Sequence, residues 1–253
     1  MSMLENIQSG KENKPPRLMV YGSEGIGKST FGASAPNPIF IQTEDGLGEI
    51  NCKKFPLAHT LGDVLTELTV LLNEPHDFQT VVIDSVDWLE RIIFEEVCRE
   101  FGVRNIEKAD GGFGRGYTHA LTHWGKILKL LQALRDQRNM IVILVAHSKI
   151  ERFEDPENSA YDRYSPRLNK HAASLLSEWV DAVLFANKKF RVTKDASDRA
   201  IAAPIGTNGG ERTLRTVGGP ACLAKNRFSL PDELPLSWKS FVEAYQKAQG
   251  VTK

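Results

Sequence analysis

The sequence predicts an α/β fold: a mostly parallel sheet flanked by helices, with antiparallel hairpins added toward the C-terminus. Three observations predict it. Short, continuously apolar runs alternate with segments whose apolar residues recur every three or four positions, the pattern of buried parallel strands joined by crossover helices. A glycine-rich loop connects the first strand to the first helix. After about residue 185 the segments shorten and are separated by Asn208-Gly209-Gly210 and Gly218-Gly219-Pro220, turn chemistry that suits hairpins.

In chain order, residues 1–16 are polar and end in Pro15-Pro16; they read as a flexible tail before one domain over 17–253. Leu18-Met19-Val20-Tyr21 is the first strand, and Thr30 to Ser34 opens the first helix. Pro38 to Thr43 is a short buried strand carrying Ile39, Phe40 and Ile41. Leu61 to Asn73 places Leu61, Val64, Leu65, Leu68 and Leu72 on one helical face. Thr80 to Asp84 is a strand apolar throughout its middle, and Leu89, Ile92, Ile93, Val97 and Phe101 stripe the helix that follows. A further stripe runs through Leu121, Trp124, Leu128 and Leu131, and Met140 to Ala146 is the next buried strand. Short β segments are expected near Phe190–Thr193, Ala200–Pro204, Thr213–Val217 and Cys222–Ala224, and an amphipathic helix over Ser237 to Gln249 closes the chain. Asp181 reads as the end of the preceding helix, and Trp88, Trp124, Trp179 and Trp238 as core packing.

The loop after the first strand, Gly22-Ser23-Glu24-Gly25-Ile26-Gly27-Lys28-Ser29, matches the G-x-x-x-x-G-K-[ST] pattern in full and sits between a strand and a helix, as that pattern requires. Its glycines let successive backbone N–H groups turn inward to phosphate oxygens, and the helix start adds a positive dipole end that reaches Thr30. Lys28 would reach the β- and γ-phosphates of ATP, and the Ser29 hydroxyl would ligate Mg²⁺. Asp84, at the C-terminal end of Val81-Val82-Ile83, stands where an acidic residue would complete the magnesium shell; the same position would suit a helix N-cap. Ser85 occupies the place where many ATPases carry a glutamate. The group that activates water is therefore sought elsewhere, in Glu44 after the second strand, with Asp45 as the alternative. His147 ends the strand through Ala146 and could touch the γ-phosphate or the attacking water, or simply close the strand with a hydrogen bond.

In this order, P-loop, Glu44, Ile83-Asp84-Ser85 and His147, the chain resembles a RecA-like P-loop NTPase core, and is similar in size and texture to short phage-encoded RecA-like ATPases of the single-strand-annealing type. The resemblance implies that Glu44 is the catalytic glutamate, Asp84 the Walker B aspartate and His147 the sensor, a place usually held by glutamine. It also implies single-stranded DNA as ligand, bound by one segment after the Walker B helix and another after the sensor strand. Here those are Val103 to Tyr117, with Arg104, Lys108 and Arg115, and Ser148 to Lys170, with Lys149, Arg152, Arg163, Arg167 and Lys170 among Phe153, Tyr161 and Tyr164. Basic groups neutralise phosphates while rings stack on bases. Judged on composition, an ordinary surface loop fits the second segment equally well, because Glu151, Glu154, Asp155 and Glu157 dilute its charge. Lys225-Asn226-Arg227 resembles the Lys-x-Arg element that related rings insert into a neighbour's ATP site, which implies a homo-oligomer, ring or filament. A single-strand-binding protein is implied as an accessory partner, and the cytoplasm of a phage-infected or prophage-bearing bacterium as the location.

Composition narrows the alternatives. Lysines and arginines number 32 against 32 aspartates and glutamates, so no global field draws the chain to nucleic acid or membrane. Cys52, Cys98 and Cys222 form no C-x-x-C pair, which argues against disulfides and thiolate metal sites. No apolar run approaches membrane-spanning length and no signal-peptide core is evident. His119 and His123 lie four apart but lack the glutamate of H-E-x-x-H. Two other functions remain open to a P-loop chain of this kind: a nucleotide-switched loader of a partner protein, and a small-molecule kinase. The latter is disfavoured by the lack of an arginine-rich lid segment.

Overall fold

A computed structural model describes residues 14–155, 159–194, 200–205 and 210–250, together with residues 7, 9, 10 and 12. Most of the expected N-terminal tail, and Asn208-Gly209 of the expected turn, lie outside the described residues.

Strands β1 (Arg17–Gly22), β2 (Pro38–Gln42), β3 (Lys53–Lys54), β4 (Thr80–Asp84), β5 (Ile141–Phe153) and β7 (Ala182–Lys188) run parallel in the order β7-β1-β5-β4-β2-β3. Strands β10 (Arg212–Arg215) and β12 (Glu233–Pro235) extend the β7 side antiparallel, and β11 (Lys225–Asn226) pairs with the start of β7. This is the mostly parallel sheet with C-terminal antiparallel additions that the apolar runs predict.

Alternation along each strand sends successive side chains to opposite faces. Met19, Tyr21, Ile39, Ile41, Val81, Ile83, Val142 and Leu144 pack beneath α2 (Leu61–Asn73), α3 (Val86–Glu100), α4 (Arg115–Arg138) and α5 (Lys170–Trp179). Leu18, Val20, Phe40, Val82, Ile143 and Val145 face the other way, against α1 (Lys28–Ala33) and α6 (Trp238–Ala248). Thr60 opens α2 with a reciprocal capping box to Asp63, and the Ser237 side chain accepts from the Ser240 N–H to open α6, each satisfying backbone donors that a helix start leaves unpaired.

The structure corrects several expectations. The segment Ser148 to Lys170 is not a loop. β5 continues past His147 to Phe153 and pairs antiparallel with β6 (Tyr161–Pro166), forming a hairpin that projects from the sheet edge. The charged residues Lys149, Glu151, Arg152, Asp162 and Arg163 break up the apolar run that marks a buried strand, so the sequence reads as a loop there. In Val103 to Tyr117, a short 3-10 segment over Ile106–Gly111 leads through a glycine turn into α4, whose first residue is Arg115. Cys222 to Ala224 forms only isolated bridges, while β8 (Phe190–Lys194) and β9 (Ala200–Pro204) make a separate two-stranded ribbon.

Asp181 does more than end a helix. It accepts from the Arg17 backbone N–H at 3.0 Å and from its guanidinium at 2.7 Å, with Arg135 at 3.5 Å, tying β1, α4 and β7 together. Burial alone would raise its carboxyl, but the Arg17 hydrogen bonds hold it below the usual carboxylate range.

Candidate phosphate cleft

The C-terminal ends of β1, β2 and β4 lie side by side with His147 of β5, and the residues there and just beyond converge on one cleft of about 630 Å³. The loop after β1 contributes Glu24, Gly25, Gly27, Lys28, Ser29 and Thr30 to its lining. Gly25 and Gly27 adopt φ of 68° and 113°, a region glycine enters without the steric cost that a Cβ brings. At Gly22 the constraint is proximity: a Cβ would collide with the Ala186 carbonyl on β7.

Lys28 is buried, its ammonium donating to the carbonyls of Gly22 at 3.1 Å and Ser23 at 2.9 Å. Desolvation lowers its pKa, against the pull of Asp84, Asp87, Glu44 and Glu24. Asp84 is also buried; desolvation raises its carboxyl, with the Ser29 hydroxyl and Lys28 pulling the other way. One Asp84 oxygen is buried with no hydrogen-bond partner. A buried carboxylate with one orphaned oxygen and a serine hydroxyl beside it fits a hard cation that would complete its shell with phosphate oxygens and water. Among the described residues no group of three or more histidine, cysteine or acidic side chains gathers as an independent metal cage.

Glu44 lies just beyond β2. Thr43 sets it there by donating its N–H to the Asp84 carbonyl at 2.9 Å and its hydroxyl to the Ser85 carbonyl at 2.6 Å. Burial raises the Glu44 carboxyl while His147, whose Nε2 is 3.8 Å away, lowers it. On its other side the His147 imidazole meets Asp87, Nδ1 to Oδ2 at 3.0 Å, and its backbone N–H donates to the same carboxylate at 2.9 Å. Burial alone would raise Asp87, yet the hydrogen bonds from His147 and Arg167 hold it well below the usual carboxylate range. A histidine oriented from behind by a carboxylate presents its second nitrogen in a fixed direction, here toward Glu44.

The sequence-predicted residues therefore divide. Lys28, Ser29, Glu44, Asp84 and His147 come together at the cleft, with Asp45 on its lining. Arg167 joins them, since its guanidinium donates to Asp87 at 2.9 Å, and so stands apart from the hairpin cations with which the sequence groups it. Lys149, Arg152 and Arg163 lie on the hairpin, each near an acidic partner on the same element or just beyond it: Glu151 for Lys149 and Arg163, Glu154 for Arg152. Arg115 and Lys170 line a second hollow with Phe113, Tyr117 and His171, while Arg104 and Lys108 are exposed nearby. Lys225 caps the C-terminal end of α5, donating to the carbonyls of Ser177, Glu178 and Val180. Arg227 is half exposed, 3.8 Å from Asp181, at the sheet edge opposite its own P-loop.

Asp87, Trp88, Arg91 and Arg212 escape the sequence reading. Trp88 is 37% exposed and lines the cleft with Arg91 over its ring at 4.2 Å, which corrects its assignment to the core. Asp87 carried a signal, an acidic residue in the first turn after β4, whereas Arg212 reaches the Ile26 carbonyl from 186 residues away and carried none. His119 and His123 contact Asp110 and Glu100 respectively.

A family model described as an AAA domain (AAA_24) matches residues 14–228. The chain belongs to the AAA domain family. This AAA domain is also 25% identical over 183 residues to the SPbeta prophage-derived uncharacterized protein YorG of Bacillus subtilis (strain 168), an alignment covering 71% of the chain and 52% of YorG. The chain thus spans about half the length of that curated relative. The crystal structure of the RadB recombinase aligns over 90% of each chain with 14% identity and a TM-score of 0.49. In the AAA domain itself, β5 with His147 at its middle lies between β1 and the Asp84 strand β4 in a mostly parallel sheet. No helix among the described residues is long and apolar enough to cross a membrane.

Proposed function

We propose that the protein binds ATP with Mg²⁺, hydrolyses it, and uses the nucleotide state to engage single-stranded DNA in phage recombination, annealing or replication. The observation that carries the first part is the convergence of Lys28, Ser29, Asp84, Glu44 and His147 at one sheet edge. Lys28 would draw the β- and γ-phosphates, and Ser29 with Asp84 would hold the cation, which neutralises phosphate charge when bound. Glu44, its carboxyl raised by burial, is suited to take a proton from water, and His147 to report what Glu44 faces.

DNA is proposed because the strand carrying His147 runs on, without a break, into the hairpin that bears Lys149, Arg152 and Arg163. Phe113, 98% exposed on a glycine turn beside Arg115, offers a ring to a base. Arg227, remote from its own cleft, suits a role in a neighbour's site within a homo-oligomer. A second reading, a nucleotide-switched loader of a partner protein, is favoured by the acidic partners that already face the hairpin cations.

Steady-state ATP hydrolysis with Mg²⁺, with and without single-stranded DNA, tests both. Several-fold stimulation that Glu44→Gln abolishes supports the DNA reading. Turnover indifferent to DNA supports the loader, and no turnover in any condition overturns the hydrolytic assignment.

A further inference from the structure

Three arginines line the phosphate cleft, and their present contacts separate them. Arg212 is held on the outer side of the P-loop by the Ile26 carbonyl at 3.1 Å. Arg91 lies over Trp88. Arg167 follows β6, and its backbone N–H donates to the His147 carbonyl at 2.8 Å, which pins it at the base of the hairpin. Its Nε and Nη2 both donate to one Asp87 oxygen, at 3.1 and 2.9 Å, and its Nη1 lies 3.6 Å from Glu24 of the P-loop.

Two features make this guanidinium available to a ligand. Asp87 is also held by the His147 backbone N–H and imidazole, so it engages only Nε and Nη2 of Arg167 and leaves Nη1 to the cleft. Glu24 is an exposed partner, its side chain 76% accessible, and exposed pairs of this sort contribute little. A phosphate arriving on the P-loop would displace it readily, since arginine's planar fork matches phosphate oxygens.

The geometry points to Arg167 as a phosphate-binding arginine that acts in its own subunit. It rests on the ATPase reading above. With ATP in the cleft, Nη1 exchanges Glu24 for a γ-phosphate oxygen while Nε and Nη2 keep contact with Asp87. As the water oxygen bonds to Pγ, the bond from Pγ to the β,γ-bridging oxygen breaks. The electron pair leaves on ADP, the water's proton passes to Glu44, and Arg167 neutralises charge on the transferred phosphoryl group. Because Arg167 anchors the hairpin, the same contact makes hairpin position depend on the γ-phosphate.

The test compares the full-length protein with Arg167→Ala and Arg167→Lys, after circular dichroism shows unchanged melting. Fluorescent N-methylanthraniloyl ADP and ATP report binding, and phosphate release reports turnover. Expected are a kcat for Arg167→Ala at least ~100-fold lower, partial recovery in Arg167→Lys, and a loss of ATP affinity exceeding that for ADP. Mixing Arg167→Ala with Lys28→Ala subunits should restore nothing, because each subunit then carries a defect in its own site. Turnover within about twofold of the parent, equal losses for ADP and ATP, or rescue on mixing would overturn the assignment. So would a variant that loses only DNA affinity. If the parent protein shows no hydrolysis, the ATPase reading fails separately, and the ATP-against-ADP comparison still decides whether Arg167 meets the γ-phosphate.

Discussion

Asp87 receives both the backbone N–H and the imidazole of His147, so a single carboxylate on α3 fixes the middle of β5 and the direction of the side chain that β5 presents to the cleft. Replacing Asp87 with Asn removes the anion while keeping the shape. Breaking a buried charged pair on one side costs about 3 kcal/mol, and urea denaturation at pH 7 should read a loss of that order. The sign with pH follows from the depressed folded-state pKa. Asp87 contributes stability above its unfolded value of 3.8 and loses it as pH falls further. The gap between parent and Asp87→Asn should therefore narrow in acid; a gap independent of pH would sink this account.

Gly22 and Gly48 offer a matched comparison. A Cβ at Gly22 meets the Ala186 carbonyl, and one at Gly48 meets nothing within 4 Å. Gly22→Ala should destabilise by ~1–3 kcal/mol and impair nucleotide binding, because β1 must move away from β7 at the P-loop. Gly48→Ala should stay within ~0.5 kcal/mol of the parent. Equal midpoints for the two in a denaturant titration would contradict the packing.

Glu67 of α2 is buried with one oxygen unpartnered, and burial pushes its carboxyl up to about 7. A raised carboxylate pKa means that the folded state binds more protons, so this group's contribution declines as pH rises from about 4.5 through about 7. Glu67→Gln should accordingly melt higher than the parent at pH 8, by the equivalent of ~1–2 kcal/mol, with no gain at pH 5. Parallel melting curves at both values would show that the charged form finds a partner.

Lys149, Arg152 and Arg163 project on the hairpin, and if they meet phosphates they set the salt dependence. The triple alanine variant should lower the slope of log affinity against log salt for single-stranded DNA by ~2–3. An unchanged slope, measured by fluorescence anisotropy across salt concentrations, would assign the hairpin to a protein partner.

Much of this architecture was legible because its signals are local. Val81-Val82-Ile83 reads as a covered parallel strand whatever its neighbours, and Lys28 is announced by the seven residues around its P-loop. Glu44 could be nominated because it follows the second strand. Trp88 was assigned to the core because a tryptophan in a helical stripe usually packs inward, whereas this face of α3 lines the cleft. Arg167 was grouped with the hairpin cations because sequence distance shows that it follows them, not that the chain turns back at His147. The sequence offers Lys225 with Arg227 as a Lys-x-Arg element and cannot show its three carbonyl partners, which close α5 at least 45 residues earlier.

The continuity of β5 gives the hairpin a mechanical advantage. Six residues separate His147 from the end of the strand at Phe153, about 20 Å of extended chain. A tilt of about 5° at the histidine would carry the far end by nearly 2 Å along that arm. A displacement too small to see in the cleft thus becomes, at the tip, large enough to make or break a hydrogen bond.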